Sequence, residues 1–182
     1  MILYDTKYLQ LKSTKSKNGN DWVYAHRPNA KDVVVIVPII ENSKTLFLIE
    51  ERPPIKAENI AEYTIAFPAG LVGDVRINES VIDAIHEELL EETGLKADRV
   101  EIKAAKIATS PGCVSETYTI AFAYISIFKE IAKPVDDDGV IIKRVPVNIK
   151  DINNWLNEQT TQGMLLTSQT LSALYILERE KL

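Results

Sequence analysis

The sequence predicts an α/β protein in which a mixed β-sheet is packed between helices. Three observations lead to this fold class. Residues 32–40, DVVVIVPII, form an almost continuous β-branched run, which indicates a strand buried on both faces. Residues 79–93 contain no glycine or proline and carry apolar side chains at helical spacing. Two further helical patterns follow the last strands, and a layered sandwich accommodates such an order of elements.

Length and composition predict one domain of 182 residues with a small added element. We divide it into a β extension over 1–30 and a main domain over 31–182. The net charge of -5 argues against a nucleic-acid surface, and no apolar run reaches the roughly 18 residues of a membrane span. The single cysteine, Cys113, excludes a disulfide framework and a multi-cysteine zinc site. The charged N-terminus is unlike a signal peptide, which predicts a cytoplasmic protein.

The first 30 residues alternate polar and apolar side chains around an Asn18-Gly19 turn, and this pattern is typical of a β-hairpin. In the buried strand at 32–40, Pro38 predicts an end or a bulge in the ladder because proline donates no hydrogen bond. Further strands are predicted at 44–52 (paired with 32–40), at the start of 63–74, and at 98–108, 118–128 and 139–147.

The helix at 79–93 has a predicted core stripe and a glycine at its C-terminal end, where a C-cap belongs. The stripe consists of Val81, Ile82, Ile85 and Leu89, and the glycine is Gly94. Two more helices are predicted at 151–158 and 168–182. The apolar side of the second is predicted to consist of Leu171, Leu174, Ile176 and Leu177.

Three glutamates form one patch beside the core stripe of the first helix. At about 100° per residue, Glu88 and Glu92 lie about 40° apart, and Glu91 lies about 60° to the other side of Glu88. Oxygen ligands on a rigid element suit Mg²⁺ or Mn²⁺, whose charge would offset the repulsion between carboxylates. A solvated acidic face is the alternative, and the spacing alone leaves both interpretations open.

The residues around this patch resemble the Nudix box, G-x5-E-x7-R-E-U-x-E-E-x-G-U, where U is a bulky aliphatic residue. Eight of its nine fixed positions match over 23 residues. The matching residues are Gly73, Glu79, Glu88, Leu89, Glu91, Glu92, Gly94 and Leu95. Glu87 stands where the box has arginine.

The resemblance implies a Nudix-type α/β/α sandwich that hydrolyses a nucleoside diphosphate linked to another group. It implies that three box glutamates ligate Mg²⁺, with Mn²⁺ as the alternative. These predicted ligands are Glu88, Glu91 and Glu92. It also implies that Glu79 supports the box and that Gly73 and Gly94 supply tight backbone at its two ends.

Three further stretches resemble the ADP-ribose pyrophosphatase branch of this family. FPAGLV (67–72) is similar to the segment before the box, where the carbonyl matching Ala69 ligates metal, and Gly70 is a candidate substrate contact. Glu116 in SPGCVSE matches a glutamate that contacts metal or acts as general base. Arg52 in ERPP matches an arginine that contacts the diphosphate, as a bidentate guanidinium does well.

The stretch DWVYAHR (21–27) resembles a strand that, in the same branch, belongs to an antiparallel extension exchanged with a second subunit. It implies a homodimer in which aromatic and arginine side chains hold the adenine. Trp22 and Arg27 are the candidates, and a core position is the alternative for Trp22.

The leading hypothesis is metal-dependent hydrolysis of ADP-ribose or a related nucleoside diphosphate sugar. Cations would neutralise the diphosphate and activate water, and Glu116, Glu88 or Glu92 would accept its proton. Two alternatives remain: hydrolysis of another nucleotide sugar such as GDP-mannose, or a weakened Nudix-fold module that binds ADP-ribose. The acidic residue at position 87 keeps the second alternative open unless Arg76 compensates from outside the helix.

Overall fold

The computed structural model describes residues 1–74, 76, 78–136 and 139–180. Its strands are β1 (Ile2–Asp5), β2 (Gln10–Lys15), β3 (Asp21–His26), β4 (Asp32–Ile40), β5 (Lys44–Glu50), β6 (Thr64–Ala66), β7 (Ala69–Val72), β8 (Arg99–Ala108), β9 (Thr117–Ile125), β10 (Ile141–Asn148) and β11 (Leu165–Leu166). Its helices are α1 (Pro53–Ala57), α2 (Val81–Thr93), α3 (Ile152–Thr161) and α4 (Ser168–Arg179), with a 3₁₀ turn at Ile149–Asp151. Among these described residues no helix combines the length and apolar character needed to cross a membrane.

The strands form two sheets. The three N-terminal strands make a small antiparallel sheet in the order β1-β2-β3. The other eight follow the order β11-β6-β5-β4-β9-β8, with β10 beside β5 and β7 beside β4. Because β4 runs parallel to β9 but antiparallel to β7, the larger sheet is mixed. The predicted α/β class with a small N-terminal antiparallel sheet is therefore confirmed.

The larger sheet is covered on both faces, as the apolar run of β4 predicts. Side chains alternate along a strand, so Val35 and Val37 belong to one core cluster and Val34 and Ile36 to the other. The first cluster contains residues of α3 and α4, and the second contains residues of α2. The chain is thus an α/β/α sandwich, with α2 alone on its face among the helices in the two clusters.

The prediction that Pro38 ends or bulges the ladder holds for one side of β4 and is wrong for the other. On the side away from β9, pairing with β7 ends at Val35↔Ala69 and pairing with β5 is limited to Ile40↔Lys44, so the ladder is interrupted at Pro38. The parallel pairing of β4 with β9 continues through Pro38↔Ala123 to Ile40↔Ile125. The amide of Ile36 donates to Pro68, on the side of β4 away from β9. A residue two positions along a strand points the same way, so Pro38 lacks only a donor that β9 does not use.

The strand at 44–52 also pairs less with β4 than predicted: their register has the single pair Ile40↔Lys44, and β5 pairs mainly with β10 and β6.

Two apolar stripes were partly mispredicted. Ile82 is 39% exposed, and Ala84 is the buried residue that joins Ile85 and Leu89 in the core. On α4, Leu171 is 53% exposed, whereas Thr170, Ala173 and Leu177 are buried. In both helices the buried side therefore includes small residues beside the predicted large ones.

Helix α2 is fixed at both ends by capping. It begins at Val81, and the Ser80 side chain accepts a hydrogen bond of 3.1 Å from the amide of Asp83. It ends at Gly94, whose φ of 71° is the left-handed C-cap conformation and whose amide donates to Leu90 at 2.8 Å. These caps set the rotational position of the glutamates that follow.

Candidate active site

A cavity of about 520 Å³ lies between α2, the ends of β5 and β7, and the loop before β9. Most of the predicted site residues line it: Arg27, Arg52, Ala69, Gly70, Glu88, Glu91, Glu92 and Glu116. Within the described residues, the lining does not include Trp22, Gly73, Glu79 or Gly94. The last three belong to the ends of the box loop and helix, so their absence agrees with the supporting role that the resemblance implies.

The glutamates of α2 approach the backbone of β7. Glu92 accepts a hydrogen bond of 3.0 Å from the amide of Ala69 through its Oε2. Glu88 lies against Gly70, and a Cβ at position 70 would collide with its carboxylate. Glycine at this position therefore makes the contact between β7 and the helix sterically feasible. The N–H of Ala69, whose carbonyl is the predicted ligand, thus already holds one of the glutamates.

The surroundings of two of these glutamates disfavour the ionised carboxylate. Burial, and next the charge of Glu91, raise the pKa of Glu88 to about 7. Burial raises the pKa of Glu92 to about 8 against the hydrogen bond from Ala69, and the charge of Glu88 adds to it. Neither carboxylate is in an ion pair within the described part of the chain. Desolvation and like charge are the two causes that a nearby dication would reverse.

The predicted ligands share the cavity but do not converge on one point. Among the described residues no group of three or more His, Cys, Asp or Glu side chains is gathered tightly enough to hold a metal ion. Glu92 is turned to Ala69, and Glu116 is turned to Arg27. The donor set nevertheless fits Mg²⁺ or Mn²⁺, because it consists of carboxylate oxygens with excess negative charge.

Arg52, which also lines the cavity, is anchored by a glutamate that the sequence analysis did not single out. Its Nε and Nη2 donate to Glu50 at 2.8 and 2.9 Å, a bidentate pair. Glu50 is 1% exposed, and burial raises its pKa although Arg52 lowers it. The pairing leaves the Nη1 edge of the guanidinium without a hydrogen-bond partner in the described part of the chain. Arg52 follows the end of β5 and is the N-cap of α1 with an extended backbone, so the only sequence signal was its separation of two residues from Glu50.

Arg27 reaches the cavity from the N-terminal sheet. Its Nε donates to Oε2 of Glu116 at 3.0 Å. The loop that carries Glu116 is also held to β3 by backbone hydrogen bonds of Ala25 with Cys113 and Ser115, at 2.8 and 3.1 Å. The small sheet therefore positions the residue predicted to act as general base or metal contact.

Trp22 lies outside the cavity in the single chain. Its side chain is 46% exposed, which excludes the core position considered from the sequence. The indole Nε1 donates to the carbonyl of Gly112 at 2.9 Å, in the loop that precedes Glu116.

The loop before α2 is organised by charged residues of the box. Glu79 accepts a hydrogen bond of 2.9 Å from the amide of Gly73, whose φ is 88°. Arg76 contacts both Glu79, at 3.6 Å, and Glu87, through a close Nη2–Oε2 ion pair. The arginine considered from the sequence as a compensating residue thus lies against the residue that replaces the box arginine.

Several lining residues had no usable sequence signal. Asp136 accepts hydrogen bonds from the amides of Val140 and Ile141, at 3.1 and 2.9 Å, and so shapes the turn before β10. Residues 167–170 place the start of α4 at the cavity. Both segments are distant from the box in sequence, so only the fold brings them to it.

Comparisons with known proteins agree with the fold. A NUDIX domain model matches residues 30–164. Among solved structures, the crystal structure of an ADP compounds hydrolase is similar, with a TM-score of 0.72 over 98% of this chain and 89% of that chain. Their sequences are 21% identical, so this likeness concerns the fold. No curated protein sequence matches the chain significantly.

Proposed function

The chain belongs to the Nudix family, and from that membership we propose that it hydrolyses the diphosphate bond of a nucleoside diphosphate sugar, with ADP-ribose as the first candidate. The products would be a nucleoside monophosphate and a sugar phosphate. The chief support is that three box glutamates and two arginines line the same cavity. A diphosphate requires both features: anionic ligands for cations and fixed donors for its own oxygens.

The arginine side of the cavity would bind and orient the diphosphate. Glu50 holds the guanidinium of Arg52 by two hydrogen bonds, so little side-chain freedom is lost when its outer edge meets a phosphate. Holding the phosphorus in line with the attacking water accounts for a large share of catalysis in phosphoryl chemistry.

The carboxylate side would hold Mg²⁺ or Mn²⁺ through Glu88, Glu91 and Glu92, with Glu116 and the Ala69 carbonyl as further ligands. When bound, the cations would neutralise the diphosphate and polarise the phosphorus that is attacked. Glu116 is the first candidate to accept the proton of the attacking water, and Glu88 and Glu92 are the alternatives. Since Glu116 is paired with Arg27, that pair would open or shift when substrate binds.

The test is a turnover screen of the purified chain with Mg²⁺ or Mn²⁺ over ADP-ribose, GDP-mannose and other nucleoside diphosphate sugars. A phosphatase that removes phosphate only from monoesters reports both products. We expect metal-dependent turnover, highest with ADP-ribose, that is lost in Glu92→Gln. Glu158→Gln, which changes an exposed glutamate of α3, is the matched control. If wild type and Glu92→Gln are indistinguishable on every substrate, the proposal is wrong.

A second candidate is a module that binds a nucleoside diphosphate sugar without cleaving it. It is favoured by the absence of a ready-made metal cluster among the described residues and by the acidic residue at position 87. Calorimetric titration with ADP-ribose separates the two: binding with micromolar affinity but no turnover in either metal would support the module.

We also propose a homodimer formed through the N-terminal sheet. That sheet exposes large apolar side chains that a single chain leaves uncovered: Ile2, Leu3, Tyr4, Leu11, Trp22 and Val23. Uncovered apolar patches of this kind mark interfaces. Sedimentation equilibrium would show a dimer, and a monomer at micromolar concentration would contradict the proposal.

A further inference from the structure

We propose that Arg76 acts as the positioning arginine of the carboxylate helix, by pairing from the preceding loop with Glu87, which stands at the arginine position of the box. This inference rests on the proposed function of the site. Arg76 would not touch substrate or cations. It would hold Glu87 and Glu79, and through them the helix that carries the predicted ligands.

The first argument is the placement of the guanidinium between two acidic box residues. Its Nη2 contacts Oε2 of Glu87 on the second turn of α2 and lies 3.6 Å from Oε1 of Glu79. Glu79 uses its other oxygen, Oε2, to accept the amide of Gly73. One side chain therefore links the start of the box loop to the helix.

The second argument is the difference in burial along this chain of contacts. The side chain of Glu79 is 3% exposed, whereas that of Arg76 is 58% exposed. Burying a carboxylate without a cationic neighbour costs free energy, so the contact with Glu79 favours the observed position of Arg76. From that position it also reaches Glu87.

The third argument concerns the neighbours of Glu87. It precedes Glu88 directly and lies about 40° from Glu91 on the helical wheel. An uncompensated charge there would repel two predicted ligands and favour other side-chain positions. Arg76 offsets that charge, so a box with glutamate at position 87 keeps the orientation of its ligands.

An exposed ion pair contributes little to global stability, which allows positioning to be separated from folding. Partners that orient metal ligands affect metal affinity by about tenfold to a hundredfold when removed. The measurements are therefore Mn²⁺ affinity of the full chain by calorimetry, kcat and KM in the turnover assay, and the melting temperature without metal.

Three variants test the proposal: Arg76→Gln, Glu87→Arg, and the two combined. We expect Arg76→Gln to weaken Mn²⁺ binding by about tenfold or more and to lower kcat more than KM, with the metal-free melting temperature nearly unchanged. We expect Glu87→Arg alone to give no gain, because the change removes the carboxylate that Arg76 contacts and sets two guanidinium groups close together. In the double variant the new arginine at 87 should restore Mn²⁺ affinity to within about threefold of wild type.

The matched control is Arg99→Gln on β8, which removes an exposed arginine paired with Glu101 and should leave Mn²⁺ affinity unchanged. The inference is overturned if Arg76→Gln binds Mn²⁺ like wild type, if the double variant is no better than Arg76→Gln, or if Glu87→Arg alone raises affinity or turnover. The metal readout keeps the two proposals separate. A chain that cleaves no substrate but shows the expected Mn²⁺ pattern refutes the function and supports Arg76.

Discussion

Two parts of the cavity lining differ in how their charges are compensated. We call them the arginine wall, which carries Arg27 and Arg52, and the carboxylate wall, which carries Glu88, Glu91 and Glu92. On the arginine wall, Arg52 is paired with Glu50 and Arg27 with Glu116, so each cation is held by a carboxylate. On the carboxylate wall, Glu88 and Glu92 are partly buried and carry raised pKa values without an ion pair in the described part of the chain. The arginines of the first wall are thus held by ion pairs, whereas burial and like charge disfavour the ionised form of Glu88 and Glu92 on the second.

The carboxylate wall is therefore where the requirements of catalysis and of fold stability oppose one another. Neutralising a carboxylate on the carboxylate wall should damage catalysis and stabilise the metal-free fold. Changing an arginine on the other wall should weaken substrate binding, because a donor to the diphosphate is lost. It should also destabilise the fold, because the partner glutamate is left without a counter-charge. Each prediction below tests one side of this contrast.

The largest expected effect is on turnover in Glu92→Gln. Cation stabilisation of a phosphoryl transition state contributes several kcal/mol, and each tenfold change in rate corresponds to about 1.4 kcal/mol, so we expect kcat to fall by about a hundredfold to a thousandfold. Steady-state kinetics on the best substrate measure it, beside Glu158→Gln. A loss below about threefold would place Glu92 outside the catalytic site.

The same substitution should increase the stability of the metal-free protein at high pH. The pKa of Glu92 in the folded state is about 8, above its ordinary value of 4.5. Between these values the folded state binds the extra proton, so the contribution of this carboxyl to stability falls as pH rises. Glutamine resembles the protonated form, so the two proteins should differ by less than about 1 kcal/mol near pH 5, whereas the variant should be more stable by roughly 4 kcal/mol at pH 8.

Urea unfolding in a chelator at pH 5, 6, 7 and 8 measures this difference. Taking the difference between two proteins cancels titrating groups remote from Glu92, such as His26, whose pKa burial lowers. Glu88, whose charge acts on Glu92, contributes to the measured difference. Added Mn²⁺ at pH 8 should stabilise wild type and have less effect on the variant. A difference that does not change with pH would show that the Glu92 charge is already compensated.

The position of α2 and its carboxylates could be predicted from sequence because both depend on local rules. Capping residues at Ser80 and Gly94 set the ends of the helix, and its period sets which glutamates share a side. The buried sides were harder, since Ile82 and Leu171 follow an apolar pattern yet point to solvent. Which side of a helix meets a sheet depends on how closely the two approach, and the sequence pattern contains no such distance.

The arginine wall shows what the sequence could not supply. Arg52 was predicted from resemblance, but its anchor Glu50 was missed because a glutamate ending an apolar strand is usually solvated. Glu50 is instead buried, with β6 and β10 paired on either side of β5, and both strands are distant from it in sequence. The start of α4, at residues 167–170, likewise lies at the cavity only because the fold brings this distant part of the sequence there.

The next largest effect is expected for Arg52→Lys. Lysine keeps the charge but loses the planar fork that Glu50 holds. We expect KM to rise by about tenfold with kcat changed less, since a charge-assisted hydrogen bond contributes about 1.5–3 kcal/mol. Glu50→Gln should raise KM by a smaller factor, because the guanidinium remains but is less firmly held. If Glu50→Gln is as harmful as Arg52→Lys, Glu50 does more than orient the arginine.

The smallest effect is expected at Trp22, which links the N-terminal sheet to the loop of Glu116 and is the predicted adenine contact. In Trp22→Ala we expect KM to rise by about threefold to tenfold, the range that loss of one aromatic stacking contact gives. Trp22→Phe loses the indole hydrogen bond to Gly112 but keeps an aromatic ring. Because the ring supplies the stacking contact, this variant should bind substrate nearly as wild type does. If Trp22→Phe and Trp22→Ala instead both lower kcat and leave KM unchanged, Trp22 acts by holding the Glu116 loop. The N-terminal sheet would then act on the position of Glu116, since Arg27, the residue that follows β3, pairs with that glutamate.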